Sequence, residues 1–148
     1  MSRSDTKSTE GKQWGFRRHE GTTRVVFLIG KYAIKLPALR SWKLFLRGIL
    51  ANLDENLWYK SSPAEWKLKM CPVVFSFVGF ILIARRARPI PYHIYEDLDL
   101  KQYEPLPVDP KQSNFGWYDH RIVLIDYADS RYFCSECEEL FKHKTQQQ

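Results

Sequence analysis

Lys35 closes the run Tyr32-Ala-Ile-Lys35, and an ammonium group in an otherwise apolar strand is costly to bury without a partner. Glu55, twenty residues further on, shares a helical stripe with Leu44, Gly48 and Ala51, whose small members let the stripe approach a strand closely. Asp109-Pro-Lys-Gln-Ser-Asn114 sets a carboxylate, an ammonium and an amide at offsets of zero, two and five. Asp126 ends the buried-type run Ile122-Val-Leu-Ile, twelve residues after Asn114. A carboxylate in that place suits Mg²⁺, a hard ion that takes oxygen ligands. Taken singly, each has an ordinary reading: a solvated strand-edge lysine, a surface glutamate, two turn formers in a proline-rich loop, a strand-end cap. Their joint order is what makes them candidates.

The elements that must carry these residues follow from periodicity. Thr23-Arg-Val-Val-Phe-Leu-Ile29 and Tyr32-Ala-Ile-Lys-Leu36 flank Gly30-Lys31, which predicts a β-hairpin. Ser41 is a candidate N-cap for a helix over roughly 42–60, with Trp42, Phe45, Leu46, Ile49, Leu53 and Leu57 at helical spacing and Pro63 closing the region. Ala64 to Lys69 reads as a short helical turn. Pro72 to Val78 and Phe80 to Ala84 read as two strands joined at Gly79, Tyr92 to Glu104 as a modest helix, and Arg121 to Ile125 as a buried strand. Tyr132 to His143 has helical character. Residues 1–13 read as a flexible leader, 14–143 as one domain and 144–148 as a frayed tail.

The order of lysine strand, glutamate helix, Asp-x-Lys-x-x-Asn loop and strand-end aspartate resembles the protein-kinase-like superfamily, from about Gly15 to Asp129. The Ile-Asp-Tyr form of the last motif is closer to atypical and aminoglycoside-type kinases. The resemblance implies an α+β fold: a kinase N-lobe-like antiparallel sheet packed on one long helix, with a vestigial helical C-lobe. It implies ATP and Mg²⁺ as cofactors and transfer of the γ-phosphoryl group to an acceptor. Lys35 would hold the phosphates, Glu55 orient Lys35, Asp109 accept the acceptor's proton, and Asn114 with Asp126 hold the metal. Gly21-Thr-Thr-Arg-Val25 would be a reduced glycine-rich loop, so Gly21 and Val25 join Lys35 in nucleotide binding, and Ala84 and Arg85 would meet adenine at a hinge near Ala84–Arg86.

The sequence departs from that pattern in stated places. The loop at Gly21 has one well-placed glycine, Pro107-Val108 stands where His-Arg is usual, and Tyr127-Ala128 stands where Phe-Gly is usual. Twenty-two residues follow Asp126, and they include no Ala-Pro-Glu motif, so a peptide-docking C-lobe is not expected. A catalytically inactive, pseudokinase-like protein that binds and modulates a partner is therefore the alternative. So compact a version would suit a phage or mobile-element protein acting on host components.

Composition bounds the rest. A chain of 148 residues, 44% apolar and 27% charged, has the makeup of one globular domain. Twenty-three basic against seventeen acidic residues leave +6, which favours acidic partners. Arg17-Arg18, Arg40, Lys43, Arg47 and Arg85-Arg86-Arg88, interleaved with Trp14, Trp42 and Trp58, give a third reading, a basic nucleic-acid-binding protein, although no recognised motif accompanies them. No apolar run reaches membrane-spanning length, and three cysteines, an odd number, fit a reducing, cytoplasmic setting. Cys134-Ser-Glu-Cys137 with His143 supplies too few zinc ligands unless Cys71 completes them, so core packing is the expectation there.

Overall fold

A computed structural model describes residues 15–104, 106 and 109–128 of the chain. The hairpin is present: β2 (Arg24–Ile29) and β3 (Tyr32–Pro37) pair antiparallel with Val26 opposite Lys35. Gly30 sits at φ +53° in the connecting turn, a conformation that glycine adopts without strain. Preceding them is β1 (Arg17–Glu20), every residue of it exposed. The sequence predicts no strand there, because Arg-Arg-His-Glu lacks apolar alternation. It forms as an edge partner of β2, and its charges discourage further pairing.

Ser41 caps α1 (Trp42–Ser61), its Oγ accepting from the Leu44 amide at 3.2 Å. The face turned to the sheet is Gly48, Ala51, Asn52 and Glu55. By contrast Trp42, Leu46, Leu53 and Leu57, from the expected apolar spacing, stay exposed. Gly48 explains the choice of face. A Cβ there would lie 2.5 Å from the Thr23 carbonyl oxygen and 2.7 Å from the Pro37 Cα, so only a residue without a side chain lets the helix settle so close. The large side chains then flank the contact, as Phe45 does against Phe80.

After the short α2 (Ala64–Lys67) come β4 (Val73–Phe77) and β5 (Ile81–Arg85), joined through Val78-Gly79-Phe80. These complete an antiparallel sheet of order β1-β2-β3-β5-β4, with α1 packed on it. The chain is thus α+β, with a five-stranded antiparallel sheet and one long helix.

The remainder differs in detail from expectation. β6 (Arg88–Pro89) is followed by α3 (Tyr92–Glu96), and the expected helix to Glu104 breaks there. The Asp99 side chain accepts from the Lys101 amide and starts a separate 3-10 turn, Leu100–Tyr103. β7 (Phe115–Tyr118), which the sequence does not announce, pairs with β8 (Arg121–Leu124) across Asp119-His120, both at positive φ (49° and 60°). Such a two-residue turn is usually signalled by Asn-Gly or Asp-Gly, and Asp-His hides it. β6, β7 and β8 form a second, three-stranded sheet. The Cys71 amide donates to the Leu124 carbonyl and the Leu124 amide to the Lys69 carbonyl, tying β8 to the chain entering β4. Met70, Ile90, Tyr103, Leu106, Phe115, Leu124 and Tyr127 make the buried core beneath. Among the described residues, no helix is long and apolar enough to cross a membrane.

Candidate functional site

Lys35 lies on β3 with its Nζ donating to Glu55 Oε1 at 2.5 Å and to the Ile125 carbonyl at 2.9 Å. Both residues are removed from water: Glu55 is 0% exposed and Lys35 3%. Ionised groups in such a place persist only as partners. The expected pair therefore exists, set by strand alternation on one side and the small-residue helix stripe on the other.

Glu55 has a second cation. Arg24, first residue of β2 and also buried, donates from Nη1 to Glu55 Oε2 at 2.7 Å and to Asn52 Oδ1 at 3.2 Å. Its Nη2 donates to Asp126 Oδ1 at 2.6 Å. Asn52, itself fully buried, uses its amide nitrogen on the carbonyls of Lys35 (3.1 Å) and Gly79 (2.8 Å), which fixes β3, the β4–β5 turn and Arg24 relative to one helix turn. Sequence reasoning passed over both Arg24 and Asn52. A signal existed: Asn52 is four residues from Gly48 on the buried stripe, and Arg24 opens an apolar strand right after a Gly-Thr-Thr turn.

The electrostatics follow from this packing. Burial disfavours the Arg24 guanidinium, but Asp126 and Glu55 outweigh it and raise its pKa above the ordinary arginine value. Burial pushes the Asp126 carboxyl up, while Arg24 and then Lys35 pull it further the other way, to about 2. The Asp126 side chain keeps 44% of its surface exposed, so solvent screens part of that pull and can reach the carboxylate.

The loop residues join the site through the backbone. The Ile125 amide donates to the Asn114 carbonyl at 2.7 Å while the Ile125 carbonyl accepts from Lys35, so the residue before Asp126 is held by both Asn114 and Lys35. The Asn114 side chain donates to the Asp109 carbonyl at 3.0 Å and closes the loop on itself. The Asp109 carboxylate is exposed and pairs with Lys111 at 2.7 Å. That hydrogen bond and the charge of Asp109 raise the Lys111 pKa, with a smaller contribution from Asp126.

The other expected contacts are placed as follows. Gly21 turns between β1 and β2, its amide donating to the Arg24 carbonyl at 2.8 Å, and Val25 follows in β2 opposite Leu36. Ala84 is buried in β5 beside Ala33, and Arg85 opposes Tyr32 with its guanidinium 5.0 Å from the ring centre. Arg18 and Arg40 both pair with Glu20, and Arg86 donates to the carbonyls of Gly15 and Gly30, so several basic residues of the expected nucleic-acid surface have partners within the chain. Cys71 is buried, its thiol donating to the Arg85 carbonyl, and burial pushes its pKa up to about 12. Cys134, Cys137 and His143 lie outside the described residues. Among the described residues, no group of three or more His, Cys, Asp and Glu side chains is arranged to hold a metal ion. Searches of known protein families, curated proteins and solved structures find no match to this chain.

Proposed function

We propose that this chain is a minimal kinase-like protein that binds ATP with Mg²⁺ and passes the γ-phosphoryl group to an acceptor hydroxyl. The observation that carries the reading is the buried Lys35–Glu55 pair, on the strand and helix where the kinase resemblance puts them. In this reading the sheet and α1 are the nucleotide-binding lobe, and the segment from β6 to Asp126 is a vestigial second lobe. Lys35 contributes a fixed positive charge for the phosphates and Glu55 keeps it in place. Asp126, reachable by solvent, and Asn114 are oxygen donors of the kind Mg²⁺ takes. When bound, the ion neutralises negative charge on the phosphate oxygens. Asp109 takes the proton of the acceptor hydroxyl as its oxygen bonds to phosphorus and the bond to the β-phosphate oxygen breaks, releasing ADP.

A second reading, an inactive pseudokinase-like protein that binds a partner, is favoured by two observations. Asp126 is engaged by Arg24, and the Asn114 side-chain nitrogen is tied to its own loop. Phe75, Phe77 and Val78 around β4, with Leu53 and Leu57 of α1, leave apolar side chains exposed for a partner. Calorimetric titration with ATP and Mg²⁺ tests the first reading. Saturable binding that Lys35→Met weakens is expected; absence of binding at millimolar nucleotide would favour the second. Transfer of labelled phosphate, lost in Asp109→Asn with binding retained, tests the catalytic half.

A further inference from the structure

The five-stranded sheet is closed on one face only. Ala33, Lys35, Leu82 and Ala84 are buried on the side of α1, where Lys35 meets Glu55. Strand alternation turns Tyr32, Ile34 and Leu36 of β3 and Ile81 and Ile83 of β5 the other way. None of these is buried, although both strands are interior to the sheet. An antiparallel sheet with one face in water usually carries polar residues there. Here the row in register across all five strands reads Arg18, Phe27, Ile34, Ile83, Phe75. Phe16, with its ring centre 6.1 Å from that of Phe27, extends it, as do Ile29, Tyr32 and Phe77. Phe16, Ile29, Tyr32, Phe75 and Phe77 are between 39% and 68% exposed. At about 150–250 Å² for an aromatic side chain, roughly 700 Å² of apolar surface is left uncovered among the described residues. A monomer rarely exposes more than a few hundred Å² in one patch, whereas each partner of a standard interface contributes about 800 Å².

We propose that this face pairs with a second copy of the chain, stacking two five-stranded sheets with α1 outside on each copy. The face is self-complementary. β3 is the middle strand of the five, so a two-fold axis along β3 through Ile34 sets each position of the row over its counterpart from the other edge. Ile34 meets Ile34 of the second copy, Phe27 meets Ile83, and Arg18 on the charged β1 edge lies over Phe75 on the uncharged β4 edge. In the row at Tyr32, Arg85 comes over Ile29, so there too no cation faces another. A guanidinium over a ring is attractive, and Arg18 already lies 5.8 Å from the Phe27 ring centre within its own chain. Sheets stack in this manner with strands within about 30° of each other and about 10 Å between layers. The face is on the far side of the sheet from Lys35 and Glu55, so the pairing goes beyond the nucleotide reading and stands or falls without it.

Sedimentation velocity of the full chain, from about 1 to about 100 µM, tests it. The wild type should form a species of twice the chain mass with a dissociation constant of about 1 µM or tighter, as interfaces of this size do. Ile34→Glu sets two carboxylates face to face on the axis and should weaken the dimer at least about a hundredfold. Leu57→Glu, at an exposed position on α1 and so on the covered side of the sheet, should leave it unchanged. A wild type still monomeric at about 100 µM overturns the proposal, as does a dimer lost in Leu57→Glu and kept in Ile34→Glu. If Ile34→Glu fails to fold, a mixed sample of ¹³C-labelled and unlabelled wild type decides it: the Ile34 and Ile83 methyls should show NOEs to the unlabelled copy, and a dimer without them refutes the pairing. A monomer that binds phosphatidylserine vesicles through Ile34, or whose Ile34 methyls show NOEs to residues 129–148, gives the face another occupant and equally overturns the second copy.

Discussion

Lys35 and Glu55, twenty residues apart in the chain, meet at 2.5 Å in a place closed to solvent. The pair is not symmetric, because Glu55 has Arg24 on its second oxygen. Glu55→Gln would leave two buried cations short of a counter-charge and should cost about 3–5 kcal/mol. Lys35→Met keeps Glu55 paired with Arg24 and should cost less than half as much. Urea unfolding midpoints measure both, and equal losses would mean that Arg24 does not support Glu55.

Acid should act on the cluster through Asp126. Its folded pKa is depressed to about 2 from an ordinary 3.8, so its contribution is complete above pH 3.8 and is lost as pH falls towards 2. With a half-exposed side chain the contribution is about 1 kcal/mol after screening. Asp126→Asn should be less stable than the wild type by that amount near neutrality, and the difference should close over pH 4 to 2. A gap that persists at pH 2 would locate its origin in packing and not in the charge.

Gly48→Ala decides whether close approach of α1 matters. Helix propensity alone favours alanine by about 1 kcal/mol. The added Cβ would meet backbone atoms of Thr23 and Pro37 at 2.5 and 2.7 Å, and backbone cannot turn aside as a side chain can. The clash should win, with a net loss of about 2 kcal/mol and a lower melting temperature. A more stable variant would show that the helix has room to move.

Much of this arrangement was legible in the sequence where the signal is local. The Gly30-Lys31 hairpin, the Ser41-capped helix, the lysine strand and the Gly48-Ala51-Glu55 stripe are patterns within one or two elements. β1 and β7 were hidden because their pairing partners, and not their own residues, make them strands. Arg24 was hidden for a related reason. Its burial is decided by Glu55 and Asp126, 31 and 102 residues away, and a single basic residue after a turn looks like any other. The order of Asp109, Asn114 and Asp126 was readable. What each side chain does was not: Asn114 closes its own loop, Asp109 faces Lys111, and Asp126 takes Arg24.

Thermal unfolding with and without ATP–Mg²⁺ tests the proposed nucleotide binding at Lys35 most directly. A ligand present at a hundredfold its dissociation constant stabilises by about 2.7 kcal/mol, a rise of several degrees for a chain of this size. The wild type should show that rise at millimolar ATP–Mg²⁺, and Lys35→Met should not. A melting temperature that stays unchanged in the wild type would contradict the nucleotide site itself.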